Sequence, residues 1–216
     1  NCKEYKKIIE NLKIDKNVNK LEDLPMLPVR IFKKFDLLSV GKKQIVKQLV
    51  SSGTTGQTVS KIYLDKNNAN NQTKVLRKIV ETILGNQRLP MLIIDQNPKV
   101  LNRSVFNARA AAIYGFSIFG KNYCYLLDDK GKIDYQSLNN FLKKHGKQKF
   151  FIFGFTFQVF NNLIKNISLN HLRSNLENGI LIHGGGWKKM EEARVNNKTF
   201  KDRLFNKFKL KKIYNY

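Results

Sequence analysis

The residues best suited to chemistry are Ser51-Ser52-Gly53-Thr54-Thr55-Gly56-Gln57-Thr58. Nothing bulkier than threonine precedes Gln57, so backbone N–H groups there can close around a polyanion. The hydroxyls of Ser51, Ser52, Thr54 and Thr55 add further donors. Such a loop would grip phosphates. It lacks the Gly-Lys pair and the following helix of the GxxxxGK[ST] loop, which argues against a Walker-type site. By composition alone, a solvated hairpin or linker would look the same.

A second stretch, His183-Gly184-Gly185-Gly186-Trp187-Lys188-Lys189, carries three successive glycines. Glycines cost backbone entropy, so a triplet implies that something must approach the main chain closely, and a flat ring such as adenine qualifies. A tight crossover turn packed under Trp187 is the other reading. His183 could touch a phosphate or carboxylate, or sit satisfied in the core. Gly154-Phe155-Thr156, between aromatic residues, could line an apolar acyl tunnel or belong to the core. Asp128-Asp129-Lys130-Gly131 reads as a turn. Cys2 and Cys124 form no CxxC pair, and Cys124 lies in an apolar run that suits a buried inert thiol. No His/Cys/Glu cluster has metal-ligand spacing.

The elements that must position these residues follow from patterning. Apolar runs flank the first loop, and Val59-Ser60-Lys61-Ile62-Tyr63-Leu64 reads as a strand, so the loop joins two strands. Lys3 to Leu12 is an amphipathic helix. Leu24-Pro25-Met26-Leu27-Pro28-Val29 is extended, with Ile31, Phe32 and Phe35 expected to anchor it. Asp65 caps a helix to Leu84, striped by Leu76, Ile79, Val80 and Ile83. Met91-Leu92-Ile93-Ile94-Asp95 reads as a strand buried on both faces.

Helices over Ser104–Tyr114, after Asp134, over Phe157–Ile164 and over Phe200–Phe208 then alternate with strands at Tyr123–Leu127, Phe150–Phe153, Ile180–Ile182 and Leu210–Tyr214. This alternation predicts one α/β domain with a mostly parallel sheet. Ligands in such sheets bind at the strands' carboxyl ends, after Asp95, at Gly154–Thr156 and at the glycine triplet.

The chain of 216 residues, 42% hydrophobic, can bury a proper core. Its net charge of +24 is spread among asparagines along the whole length. That pattern points to composition and not to a nucleic-acid site, though it would attract ATP or acidic partners. No apolar run has the length of a transmembrane segment, and the Lys/Glu-rich N-terminus has no signal core, so a cytoplasmic protein is expected. The chain starts at Asn1 without methionine and ends on Tyr216, which reads as part of a longer protein.

Ser-Ser-Gly-Thr-Thr-Gly resembles the phosphate loop of adenylate-forming enzymes, the acyl-CoA synthetase and luciferase superfamily. Four further segments resemble the LuxE-type acyl-protein synthetases, in the family's order. They are Leu24–Val29 with Phe32-Lys33, Pro90–Asp95, Phe153–Phe157 and His183–Lys189. The resemblance implies an adenylate-forming N-terminal-domain-like α/β fold, residues 1–216 being a partial AMP-binding-type large domain incomplete at its C-terminus.

The implied reaction joins ATP and a carboxylic acid, a fatty acid above all, as acyl-adenylate, then passes the acyl group to a protein thiol. Ser51, Ser52, Gly53, Thr54, Thr55 and Gly56 would hold phosphates. Gly184, Gly185, Gly186 and Trp187 would bound adenine, and Gly154, Phe155 and Thr156 the acyl chain. Thr55 and His183 are the candidate catalytic residues. Mg²⁺ would arrive with ATP, and the acyl acceptor or a reductase protein would be the partner. Val59 stands where most adenylating enzymes carry a lysine, with Lys61 nearby. A Tyr-Gly-x-x-Glu motif would follow Tyr216, so this portion alone is expected to be inactive. Two alternatives stay open: a phenylacetate-type acyl-CoA ligase, and an incomplete basic module docking nucleic acid or anionic surfaces.

Overall fold

The computed structural model describes residues 2–13, 20–50, 58–98, 108–172 and 176–216. The chain packs as two compact units, Asn1–Ile79 and Val80–Tyr216.

The first unit holds helix α1 (Lys3–Asn11), a single turn α2 (Ile31–Lys34), strands β1 (Ile45–Val50) and β2 (Lys61–Asp65), and most of helix α3 (Lys66–Leu84). β1 and β2 pair antiparallel with Val50 opposite Lys61, so Ser51 to Ser60 connects two strands as the flanking β-branched residues require. The second strand starts at Lys61 and not at Val59. Asp36 fastens it, accepting from the Tyr63 hydroxyl at 2.8 Å and lying 3.8 Å from the Lys61 ammonium. That hydrogen bond raises the Tyr63 pKa.

α3 starts where Asp65 Oδ1 accepts from the Asn68 N–H at 2.7 Å, the N-cap geometry expected of an aspartate. Two expected anchors stay outside. Phe35 is 49% exposed, because α2 lasts one turn and Phe35 at its end is already extended. Ile79 of α3 is also exposed, whereas Val80 is fully buried.

The second unit is a five-stranded sheet of β3 (Leu89–Ile93), β4 (Gly120–Tyr125), β5 (Phe150–Phe155), β6 (Gly179–Gly184) and β7 (Lys212–Asn215), ordered β4-β3-β5-β6-β7. Every pairing is parallel. Helices α4 (Ala108–Ser117), α5 (Tyr135–His145), α6 (Thr156–Gln158, continuing as a π-helix over Val159–Asn166) and α7 (Asn197–Phe208) alternate with the strands. The helix expected over Ser104–Tyr114 is described over Ala108–Ser117, and residues 99–107 lie outside the described part. Leu127 is not in β4 but bridges Ile133.

Both faces of this sheet are dry. On one, Leu92, Phe150, Ile152 and Leu181 share a core with Leu138 of α5, Phe160 and Leu163 of α6, and Leu204 and Phe208 of α7. On the other, Phe116 of α4 stacks on Phe153 at 4.3 Å and meets Phe151 at 6.4 Å. Double-sided burial is why these strands are apolar at consecutive positions. Helix starts are set by side chains: Asp134 accepts from the Ser137 N–H at 2.9 Å and its hydroxyl at 2.6 Å, and Asn196 accepts from the Thr199 N–H at 2.8 Å. Chain order reverses at β3, so the carboxyl ends of β3 and β5 flank the switch point of the sheet.

Phe116 carries the α4 face, so Phe116→Ala is expected to destabilise the chain by about 3–5 kcal/mol in urea unfolding. A loss below about 1 kcal/mol would show that α4 does not seal the sheet.

Candidate functional site

Polar side chains collect at the carboxyl ends of β5 and β6. β5 runs out through Gly154 and Phe155 into Thr156, the first residue of α6; β6 runs out through His183 into the glycine triplet. Register places Gly154 opposite His183 and Phe155 opposite Gly184. Thr156 therefore sits beside the β6 end. Its hydroxyl donates to the Gly184 carbonyl at 3.1 Å and lies 2.9 Å from His183 Nδ1.

The Thr156 hydroxyl has one proton to share between the Gly184 carbonyl and Nδ1, and the imidazole tautomer follows that choice. His183 is 3% exposed, and Nε2 is buried without a hydrogen-bond partner among the described residues. Burial, helped by the Lys201 charge, pushes the imidazole pKa down to about 4, so the ring is neutral near pH 7. The ring lies 4.7 Å from that of Phe200.

A cavity of about 260 Å³ opens here, lined by Thr156, His183, Gly186, Trp187, Phe200 and Asn215, and by residues 194–197 leading into α7. Trp187 meets Phe160 edge-on at 4.8 Å, which fixes one wall.

The glycine triplet divides into three cases. A Cβ on Gly184 would meet the Tyr216 carbonyl at 2.5 Å, and one on Gly185 the Phe155 ring at 2.4 Å. The close approach at these positions comes from the chain itself. Gly186 differs: its φ is +69°, and nothing lies within 4 Å of where its Cβ would be. Gly185, at φ +79°, shares that left-handed turn, so the turn needs glycine twice over.

At the end of β3 stands a feature that patterning did not reveal. Asp95 is 1% exposed and takes a two-pronged contact from Arg109 of α4: Nε donates to Oδ2 at 2.6 Å and Nη2 to Oδ1. Gln96 extends the link, donating to the carbonyls of Asp128 at 2.9 Å and Asp129 at 3.1 Å. A carboxylate ending an apolar strand is visible in sequence. Its arginine, fourteen positions on, has no spacing signal.

The model of the family described as "Acyl-protein synthetase, LuxE" matches residues 1–215. The chain belongs to the LuxE acyl-protein synthetase family. It is 34% identical over 55 residues to the long-chain-fatty-acid–luciferin-component ligase of Photorhabdus luminescens, a match of 26% of this chain and 47% of that protein. ATP-bound MatB from Rhodopseudomonas palustris is similar at 13% identity and a TM-score of 0.47, over 84% of this chain and 31% of that one. The match thus spans about half of the curated relative and a third of the MatB chain.

Of the residues expected to act in this LuxE chain, Ser51, Ser52, Gly53, Thr54, Thr55 and Gly56 lie outside the described part. The hairpin that presents them is described. Gly154 is walled in: an added Cβ would meet Ile94 at 2.8 Å and Val159 at 2.9 Å. Phe155 rests between Phe153 and Phe157, 6.1 Å from each, and Thr156 is buried. Among the described residues of this edge, the Thr156 hydroxyl is shared between Gly184 and His183, and His183 is neutral near pH 7. Lys61, near the loop, is engaged with Asp36.

A larger open groove of about 910 Å³ runs along β4 and α5, with Cys124, Asp128, Asp134 and His145 in its lining. Burial pushes the Cys124 thiol up to about 12, so it stays protonated and inert, as its apolar surroundings suggested. Among the described residues, no group of His, Cys, Asp and Glu could hold a metal ion, and no helix is long and apolar enough to cross a membrane.

Two outcomes follow. His183 folds with a pKa of about 4 against 6.5 when unfolded, so the unfolded chain binds more protons between those values. Stability contributed by the neutral ring is therefore intact above pH 6.5 and falls as pH drops toward about 4, by up to about 3 kcal/mol. Urea unfolding of the parent and of His183→Phe across this window isolates the effect; identical pH slopes would refute it. Arg109→Met strands a buried carboxylate and is expected to cost about 3–5 kcal/mol, with much of it recovered in Asp95→Asn/Arg109→Met. A single-variant loss under about 1 kcal/mol would show that the pair holds nothing together.

Proposed function

We propose that this chain forms the nucleotide- and acid-binding portion of a ligase that activates a fatty or other carboxylic acid as acyl-adenylate, releases pyrophosphate and hands the acyl group to a protein thiol. The observation that carries this is the family match over residues 1–215. The antiparallel pairing of β1 with β2 on either side of this donor-rich sequence supports it.

In this reading Ser51, Ser52, Gly53, Thr54, Thr55 and Gly56 hold the β- and γ-phosphates, Gly186 and Trp187 border the adenine, and Phe155 with Thr156 faces the acid. Attack of the carboxylate on the α-phosphorus breaks the bond to pyrophosphate and transfers no proton to or from the protein. Positioning and charge neutralisation suffice, and that step requires no protein nucleophile. His183 is then no proton carrier. The positive charge of the chain draws ATP in. Mg²⁺ enters as the ATP complex and serves to neutralise phosphate charge. Two free cysteines suit action in the cytoplasm, with an acyl-accepting or reductase protein as partner. Coenzyme A as acceptor, the phenylacetate-type alternative, differs only in the second step.

Two measurements test the proposal. The chain is expected to bind ATP, with Thr54→Val/Thr55→Val weakening it. Extended to the length of its family's ligases, it should exchange pyrophosphate into ATP only when a carboxylic acid is added, and that double variant should slow exchange on the order of 10²-fold. Absence of both ATP binding and exchange with short-, medium- and long-chain acids would overturn the proposal.

A further inference from the structure

We propose that the open edge of β4 pairs with the same edge of a second copy of this chain. A two-fold axis sets Tyr125 against the partner's Tyr125 and Lys121 against the partner's Asp129. Such a dimer is independent of the ligase reading.

β4 ends the sheet order and, among the described residues, has a strand beside it on one side only. The Leu126 N–H donates to the Ile93 carbonyl at 2.8 Å, and Tyr125 lies level with Ile93. Alternation along the strand then turns the Tyr125 N–H and carbonyl away from β3, toward the outside. Groups so placed are a template for another strand.

The rest of this edge is closed. Ahead of Tyr125, the Gly120 carbonyl accepts from Arg88 Nε at 2.7 Å, and Arg88 Nη2 donates to the Tyr123 hydroxyl at 2.9 Å. The ladder also shifts between Pro90 and Leu92, where Asn122 of β4 takes a left-handed φ of +49°. Behind Tyr125, the Leu126 carbonyl accepts from the Asp134 N–H at 2.9 Å, and Leu127 bridges Ile133. So short an opening suits one closed contact and not an extended stack of strands. An antiparallel pair centred on Tyr125 is such a contact, because two residues facing each other in this way exchange both N–H···O bonds. Beside the edge, the groove of about 910 Å³ along α5 leaves room for the incoming strand.

Charge decides which strand comes in. β4 is basic where it begins, at Lys121, and Lys144 of α5 lies at that end, since both charges bear on His145. The chain is acidic just past β4, at Asp128 and Asp129, with Asp134 lining the same groove. About a two-fold axis at Tyr125, each residue beyond it on one strand meets the residue equally far before it on the other. Asp129, four places on, is therefore brought to the partner's Lys121, four places back, and the contact occurs twice. Lys121 and Asp129 are both exposed. With a net charge of +24, two copies repel each other unless unlike charges meet where they touch. A strand without acids at this position would leave Lys121 unpaired, and an edge lysine deters it.

Sedimentation velocity over a range of concentrations tests the pairing, on the chain and on the chain extended to the length of its family's ligases; both are expected to dimerise. Asp129→Lys and Lys121→Glu each set like charges together and should weaken the dimer on the order of 10²-fold. Combined in one chain, or mixed as two singly substituted chains, they restore unlike pairs and should return affinity to within about tenfold of the parent's. Amide exchange of the segment holding Tyr125 should slow as the parent associates and stay fast in Asp129→Lys. Either form remaining monomeric at every concentration overturns the proposal and leaves the edge to a different partner. A dimer indifferent to both reversals, or a combined variant that fails to recover, overturns it as well.

Discussion

Polar groups leaving the carboxyl edge of the parallel sheet have few places to go, and that constraint shapes the second unit. Both faces are sealed by apolar side chains, Leu92 and Ile152 with α5 to α7 on one and Phe153 with Phe116 on the other. A hydrogen-bonding group that turns inward at the strand ends must find a partner there or stay unpaired at a cost. Thr156 does so by bridging β5 to β6 through Gly184 and His183, and Asp95 does so through Arg109. The remaining unsatisfied atom, among the described residues, is His183 Nε2.

The same economy explains the residue types. Thr156 serves because a single hydroxyl both donates and accepts; valine would keep the shape and lose both bonds. Arg109 suits Asp95 because its planar fork meets both carboxylate oxygens at once, whereas a lysine would meet one. The glycine triplet serves backbone packing at Gly184 and Gly185, a left-handed turn at Gly185 and Gly186, and open space at Gly186 alone. A run that looks uniform in sequence is three separate requirements in space.

Family membership fits this picture without depending on it. The described residues include a hydrogen-bonded hydroxyl at Thr156, a neutral histidine at His183 and, in β4, an inert thiol at Cys124. The first unit contributes the antiparallel strands β1 and β2 on either side of the small-residue stretch.

Among the described residues, element type was readable because burial on two faces writes continuous apolar runs, and because Asp65 and Asp134 announce helix starts through local bonds. The buried Cys124 and the Asp128–Gly131 turn were equally plain, since each depends on neighbours within a few residues. Phe35 misled, because whether an aromatic anchors depends on what faces it. Partnerships across the sheet were not readable. Arg109 finds Asp95, Thr156 finds His183, and Tyr216 fills the space beside Gly184 only once parallel register has brought distant segments together. Sequence determines local propensity and pattern; tertiary register decides which buried nitrogen is left over, because hydrogen bonds are spent or spared by atoms far apart along the chain.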